Sequence, residues 1–210
     1  MNKGNPFYDK RYTRKEFYWG KKRSAMCDRI IKIIRPSSQF RPKLLDLGSG
    51  EGRNAVYFAK NGFDVTAVDV SLPGLEKTKR YAEELGVEVK TVHADIIAYQ
   101  LEDTYDVIFS TGALHYLPSG VRKTRFENYK QSTSSIGINA HSVFVRKPFI
   151  PRAPDAESTS HPWKSGELMS YYWDWEITYC TEEIFDCMSS GIPHKHAVNR
   201  LITRRYTSNE

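Results

Sequence analysis

Apolar positions recur first at helical spacing and then in short continuous runs. Met26, Ile30, Ile31, Ile33 and Ile34 mark a helix over residues 25–34, stopped before Pro36. Residues 36–42, with two Pro and two Ser, read as a connector. Residues 43–47 then predict a short buried strand, 54–61 a helix closed by Gly62, and 64–70 a second strand. A helix over 73–85 ends at Gly86, a third strand covers 88–93 and a fourth 105–110. This β-α-β-α-β order implies a doubly wound α/β fold, with a parallel sheet, right-handed crossovers and helices on both faces. Further on, 119–135 reads as a helix with a basic start (Arg122, Lys123, Arg125), 141–145 as a fifth strand and 148–163, with four Pro, as a loop. Residues 165–175 suggest a helix, and 177–185 and 196–205 two antiparallel strands around Ser189-Ser190-Gly191. The chain shows no internal repeat.

The stretch Leu44-Leu45-Asp46-Leu47-Gly48-Ser49-Gly50-Glu51-Gly52 concentrates the candidate chemistry. Three glycines at alternate positions directly after an apolar strand exceed what a plain strand–helix turn needs. They let a ligand approach the main chain without meeting a Cβ. The dinucleotide fingerprint G-x-G-x-x-G is not matched, because the third glycine comes one residue early with Arg53 behind it. With no pyrophosphate to hold, Asp46 before the turn suits a bound amino group. Asp69, 19 residues past Gly50, ends the second strand, where a carboxylate can accept from both ribose hydroxyls. Asp95 ends the third strand, placed to meet an adenine amino group. Any one of these would serve equally as a helix N-cap; three at successive strand ends beside the turn are more than capping requires.

Lys+Arg number 31 against 25 Asp+Glu, a net charge of +6 that admits an anionic substrate or a nucleic acid without selecting either. Hydrophobic residues at 40% and charged residues at 27% can build a core, which excludes wholesale disorder. No apolar run approaches the roughly 20 residues of a membrane span, and residues 1–20 carry no apolar segment of secretory type. Three cysteines, Cys27, Cys180 and Cys187, form no paired framework and suit a reducing, cytoplasmic setting. Basic residues crowd the N-terminal arm (Lys10, Arg11, Arg14, Lys15, Lys21, Lys22, Arg23), interleaved with Phe7, Tyr8, Tyr12, Phe17, Tyr18 and Trp19. Such an arm either packs its rings on the domain or closes as a lid over a ligand. The expected division is an arm and helix over 1–35, and one domain over 36–210.

Over about residues 40–117 the chain resembles the class I S-adenosylmethionine-dependent methyltransferases. The resemblance runs through Asp46-x-Gly48-x-Gly50-x-Gly52, Ala67-Val68-Asp69-Val70-Ser71, His93-Ala94-Asp95-Ile96 and Tyr105-Asp106-Val107-Ile108-Phe109-Ser110. It implies a Rossmann-like, seven-stranded sheet whose last strand is antiparallel, with S-adenosyl-L-methionine as cofactor. It also implies that the Gly48–Gly52 backbone holds the methionine moiety, Asp69 the ribose and Asp95 the adenine edge. Trp19, Ser49, Arg53, Asn54, Val70, Ser71, Ala94, Ile96, Ser110 and Thr111 complete the expected cofactor-binding set. A narrower resemblance, to the TehB-like tellurite-resistance methyltransferases, rests on Gly52-Arg53-Asn54-Ala55-Val56-Tyr57-Phe58-Ala59, Asn61-Gly62-Phe63-Asp64-Val65 and Gly166-Glu167-Leu168-x-x-Tyr171-Tyr172-x-x-Trp175-Glu176. Between residues 119 and 163 the match is poor, and acceptor specificity is expected there. The Pro-Gly-Gly turn usual before strand five is replaced by Ile136-Gly137-Ile138-Asn139.

After strand four the chain reads Ser110-Thr111-Gly112-Ala113-Leu114-His115-Tyr116. It lacks the Asn/Asp-Pro-Pro-aromatic motif of base-amine methyltransferases and a Pro-Cys nucleophile, which weighs against a nucleic-acid acceptor. His115 reads as a base facing the methyl group, or as a ring packed on the adenosine. His194 and His196 share one face of a strand with Arg200, an arrangement suited to a small oxyanion or to a base role, or else to an ordinary hairpin surface. No C-x-x-C or H-x3-H spacing supports a metal cluster with Cys180 and Cys187, and none is expected. The expected activity is methyl transfer to a small-molecule acceptor, a thiol or a chalcogen oxyanion such as tellurite. An RNA or protein methyltransferase using the basic arm, and a non-catalytic cofactor-binding sensor, are the alternatives.

Overall fold

Seven strands form one sheet in the order β3-β2-β1-β4-β5-β7-β6. The computed structural model describes residues 6–154, 159–188 and 191–206, so the expected turn at Ser189-Ser190 lies outside the described residues. The strands are β1 (Lys43–Leu47), β2 (Asp64–Asp69), β3 (Lys90–His93), β4 (Tyr105–Thr111), β5 (Thr133–Val145), β6 (Glu176–Cys187) and β7 (His194–Arg204). β1 to β5 pair in parallel, and β7 runs antiparallel between β5 and β6. Chain order reverses at β1, with β2 on one side and β4 on the other, so a crevice opens at the carboxyl ends of β1 and β4.

The central strands are apolar on both faces because both faces are covered. β1 sends Leu44 to one side and Leu45 and Leu47 to the other; β4 divides Val107 and Phe109 from Ile108 in the same way. The Leu44 face is roofed by α2 (Ala25–Ile34) and α3 (Arg53–Lys60), through Met26, Cys27, Ile30, Ala55 and Phe58. α2 therefore shares the sheet's own core. Its first turn is capped by the Ser24 hydroxyl, which accepts from Met26 N–H. The opposite face is filled by Phe126 and Tyr129 of α5 (Ser119–Gln131), by Trp163, by Leu168 of α6 (Glu167–Ser170) and by Tyr172.

Three elements differ from their sequence reading. The helix expected to reach residue 135 stops at Gln131, and β5 begins at Thr133, eight residues before the expected strand. Thr133, Ile136 and Ile138 favour a strand, and the Thr133 hydroxyl lies 2.6 Å from the Tyr129 carbonyl and 2.9 Å from Asn139 Oδ1, which fixes the corner. A register shift between Tyr105 and Val107 against β5, between its residues Thr133 and Ile138, falls where Ile136-Gly137-Ile138-Asn139 replaces the family's Pro-Gly-Gly turn. The helix expected over 165–175 shrinks to the four residues of α6. Tyr172 is drawn into the core instead, its hydroxyl 2.9 Å from both Asn139 Nδ2 and His141 Nε2, and that anchoring overrides helical continuation.

Arg122, read as part of a basic helix start, is only 2% exposed. Its guanidinium lies on the Trp163 ring, 3.9 Å from the centroid, and donates to Leu117 O, Glu167 Oε1 and His161 O. It thereby ties the segment around Trp163 to α5. Arg122→Lys keeps the charge but cannot satisfy three separated acceptors, so chemical denaturation should show a loss of about 1–3 kcal/mol. A change within a few tenths would mean that the fork geometry is immaterial.

Candidate active site

β1 delivers the chain into the glycine turn, and the turn is built so that only glycine fits. Gly48 and Gly52 have φ of 71° and 79°. A Cβ on Gly48 would overlap that of Ala113, just after β4, and one on Gly52 would lie 2.5 Å from Thr78. The turn is thus wedged between the end of β4 and α4 (Leu72–Glu84). Gly48 and Ser49 N–H both donate to Val68 O, Gly50 N–H to Asp69 Oδ2 and Gly52 N–H to Ser49 O. These four donors act within the protein, so the turn offers a ligand close approach rather than those N–H groups.

Carboxylates and one hydroxyl provide the rest. Asp69 accepts from Gly50 N–H at 2.7 Å and from Ser71 N–H at 2.8 Å. Burial pushes its carboxyl above the usual range, while those N–H groups pull it back. Asp46 is buried with Oδ2 lacking a hydrogen-bond partner. Burial, reinforced by Asp69, pushes its carboxyl up to about 7. Ser49 Oγ and His115 Nδ1 are likewise buried and without a partner. Asp95 Oδ1 accepts from Ile97 N–H at 2.9 Å, the capping role open to any strand-end Asp. Ile96 is buried beside it and Ala94 N–H donates to Asp69 O, holding β3's end against β2. Val70 O meets His93 Nε2 at 2.9 Å.

The arm lies across this crevice. Its first helix, α1 (Pro6–Tyr12), packs on α4, and Tyr12 closes on Gly50 and Gly74. Asp9 Oδ1 accepts from the Ser71 hydroxyl at 2.6 Å, and the Tyr116 hydroxyl donates to that of Tyr8 at 3.0 Å. Trp19 N–H donates to Glu51 Oε2, and its indole N–H to the Tyr12 hydroxyl. Lys77, 3% exposed, joins Glu51 Oε1 and Glu16 O at 2.7 Å each. The rings pack on the domain, over the strand ends. Tyr12 was legible only as one ring of the arm, and Glu51 and Lys77 carried no role in the sequence reading. A lysine on the inward face of α4, between Gly74 and Thr78, was the available signal.

Other expected residues face elsewhere. Asn54 turns to α2, its Oδ1 accepting from Ser24 N–H. Arg53 donates to Trp19 O and borders an outer basic cleft with Lys21, Lys22 and Lys60. The Ser110 hydroxyl donates to Leu47 O, tying β4 to β1, and the Thr111 hydroxyl meets that of Ser142. Arg200 is not brought to the histidines; it pairs with Glu183 across the hairpin.

His115 stands just past β4, in the 3-10 turn Leu114–Tyr116. Its ring is 4.2 Å from that of Tyr116 and 5.5 Å from that of Phe144. Phe144, which the sequence reading passed over, also packs on His196 at 4.9 Å. Burial, and then His196, hold the His115 imidazole down at about 4, so the ring is neutral near pH 7.

Strand order and turn geometry define the fold of the class I S-adenosylmethionine-dependent methyltransferases. The chain belongs to the TehB family: the family model described as "Tellurite resistance protein TehB" matches residues 5–195. A Haemophilus influenzae Rd protein named "Probable S-adenosyl-L-methionine-dependent methyltransferase TehB" is 29% identical over 178 residues, 82% of this chain and 59% of that protein. The chain thus spans about three fifths of the length of this curated relative. The crystal structure of TehB from Haemophilus influenzae superposes with a TM-score of 0.76 at 25% identity, covering 95% of this chain and 66% of that one. A Burkholderia thailandensis 1,6-didemethyltoxoflavin-N1-methyltransferase, solved with its substrate and S-adenosylhomocysteine, shares the fold at a TM-score of 0.64 and 18% identity, covering 86% of this chain and 76% of that one.

Proposed function

We propose that this chain is an S-adenosyl-L-methionine-dependent methyltransferase whose acceptor is a small soft nucleophile, a thiol or a chalcogen oxyanion such as tellurite. One observation carries the cofactor reading: a partnerless carboxylate oxygen on Asp46, beside the carboxylate of Asp69, under a turn whose glycines have no room for a Cβ. Two adjacent buried carboxylates favour a cation, which fits the ammonium group of the cofactor. Ser49 Oγ suits the neighbouring polar end, Asp69 the ribose diol and Asp95 the adenine edge. When bound, the cofactor supplies an electrophilic methyl group on a sulfonium. The chain's part is to hold the acceptor in line and keep water away, which the arm and the Tyr8–Tyr116 contact support.

His115 is the base for an acceptor that arrives protonated, because its neutral ring has a lone pair free to take a proton. Depressed to about 4, the ring stays wholly in its unprotonated, proton-accepting form throughout neutral pH. Wild-type turnover on a thiol should therefore show no inflection from this ring near pH 6.5, its ordinary value. His115→Asn should lower turnover by roughly 10²-fold while cofactor affinity holds. Unchanged turnover would return His115 to a packing role.

The activity is tested by offering methyl-labelled cofactor with tellurite, selenite, small thiols, aromatic hydroxyls and amines, bulk RNA and a protein extract. Label on a thiol or an oxyanion is the expected result. Label only in RNA or protein would overturn the small-molecule reading, and cofactor binding without transfer to any acceptor would favour a sensor.

A further inference from the structure

The β6–β7 hairpin brings together three side chains whose sequence spacing gave no metal signal. Cys187 and His194 are direct cross-strand partners, and His196 follows two residues along the same face. One ligand atom from each lies within 4.8 Å of the other two. We propose that Cys187, His194 and His196 form a three-ligand zinc site with a fourth coordination position open.

The geometry supports this independently of the proposed methyl transfer. The two Nε2 atoms are 3.0 Å apart. Two imidazoles on one tetrahedral zinc, each at about 2.0–2.1 Å, hold their nitrogens about 3.3 Å apart. His194 Nδ1 lies 2.7 Å from Ile192 O, and only a protonated ring nitrogen can face a carbonyl. In the neutral ring Nε2 then presents its lone pair toward His196. Such a backbone carbonyl behind a ligating histidine is the usual means of fixing tautomer and ring orientation. His196 is held by Phe144 at 4.9 Å and Phe185 at 5.7 Å, so part of the site has an apolar wall. All three donors are half-buried, and one thiolate with two imidazoles suits zinc better than magnesium or calcium. A hydrogen bond between the two rings would also explain their nitrogen spacing. It would not require the cysteine sulfur to lie within 4.8 Å of a ligand atom of each ring.

Three protein ligands are the pattern of zinc sites that take a water or a substrate atom as the fourth. The ring of Phe144 touches both His196 and His115, so this position lies one side chain from the acceptor side of the crevice.

The test uses the tag-free 210-residue chain titrated with Co²⁺ and then Zn²⁺. One equivalent of Co²⁺ should give a thiolate-to-cobalt charge-transfer band that Zn²⁺ abolishes. Cys187→Ser should remove the band with the circular dichroism unchanged. His194→Ala and His196→Ala should each weaken Zn²⁺ binding at least tenfold in competition with a chromophoric chelator. Cys180→Ser, at an exposed position farther along β6, should keep both the band and the affinity. Absence of a thiolate band, its loss in Cys180→Ser, or Zn²⁺ affinity unchanged in the Cys187 and histidine variants would each overturn the site.

Discussion

Replacing Asp69 with alanine is expected to weaken S-adenosylmethionine binding by more than tenfold, measured by titration calorimetry. The carboxylate ties the two halves of the crevice together. It receives Gly50 N–H from the glycine turn and Ser71 N–H from the start of α4. In the proposed complex it also accepts from the ribose diol. Its removal leaves two buried N–H groups without acceptors, at about 1–3 kcal/mol each, and takes away the diol's partner. The stranded N–H groups weigh on the fold, whereas the lost diol partner weighs on affinity: tenfold is about 1.4 kcal/mol, at the low end of the roughly 1.5–3 kcal/mol of hydrogen bonds to a charged group. Asp69→Asn keeps the size but sets an amide N–H₂ against one of the two donors, and should fall between wild type and alanine. Unaltered affinity in the alanine variant would remove Asp69 from the cofactor site and leave it a purely structural clamp.

Lys77→Met should cost about 3–5 kcal/mol in stability, because it strands Glu51 as an uncompensated buried charge. With both side chains almost wholly buried, solvent screening does little to soften the loss. The double variant Lys77→Met with Glu51→Leu should recover most of it, since an apolar pair of similar volume can replace a buried ion pair. The arm distinguishes the two effects. Lys77 also holds Glu16 O, and Glu51 also holds Trp19 N–H. Limited proteolysis within residues 10–23 should therefore be faster in both variants, even where global stability returns. A loss below 1 kcal/mol in Lys77→Met would show that the pair is not what fastens the arm.

The β1-turn-α3 unit was legible because every level of the chain agreed there: an apolar run buried on both faces, glycines where φ is positive, and a stop at Gly62. The strand-end aspartates were equally visible, but not the direction of their side chains. Asn54 was expected at the cofactor and faces α2, where its Oδ1 satisfies the Ser24 N–H at that helix's N-cap. Arg200 looked like an anion donor, yet Glu183 on the neighbouring strand neutralises it, and that pairing depends on hairpin register. Register also hid the Cys187–His194 pairing, since residues on different strands carry no fixed spacing in sequence. The early start of β5 escaped because Ser134, Ser135 and Gly137 break up the strand-favouring Thr133, Ile136 and Ile138, and pairing of Thr133 with Tyr105 of β4 supplies what that interrupted signal lacks.

β7 enters the sheet last yet sits between β5 and β6, and synthesis order therefore opposes sheet order. While residues 194–204 are still inside the ribosome, β5 has a bare edge along most of its length, and β6 lacks the strand that supplies its whole register. The parallel half can assemble from short-range crossovers as it emerges, whereas the two longest strands must wait for the terminal segment. Leu201 and Ile202 then enter opposite cores in one step. Nascent chains should accordingly stay protease-sensitive across β5 and β6 until that strand is released, and acquire both halves of their protection together.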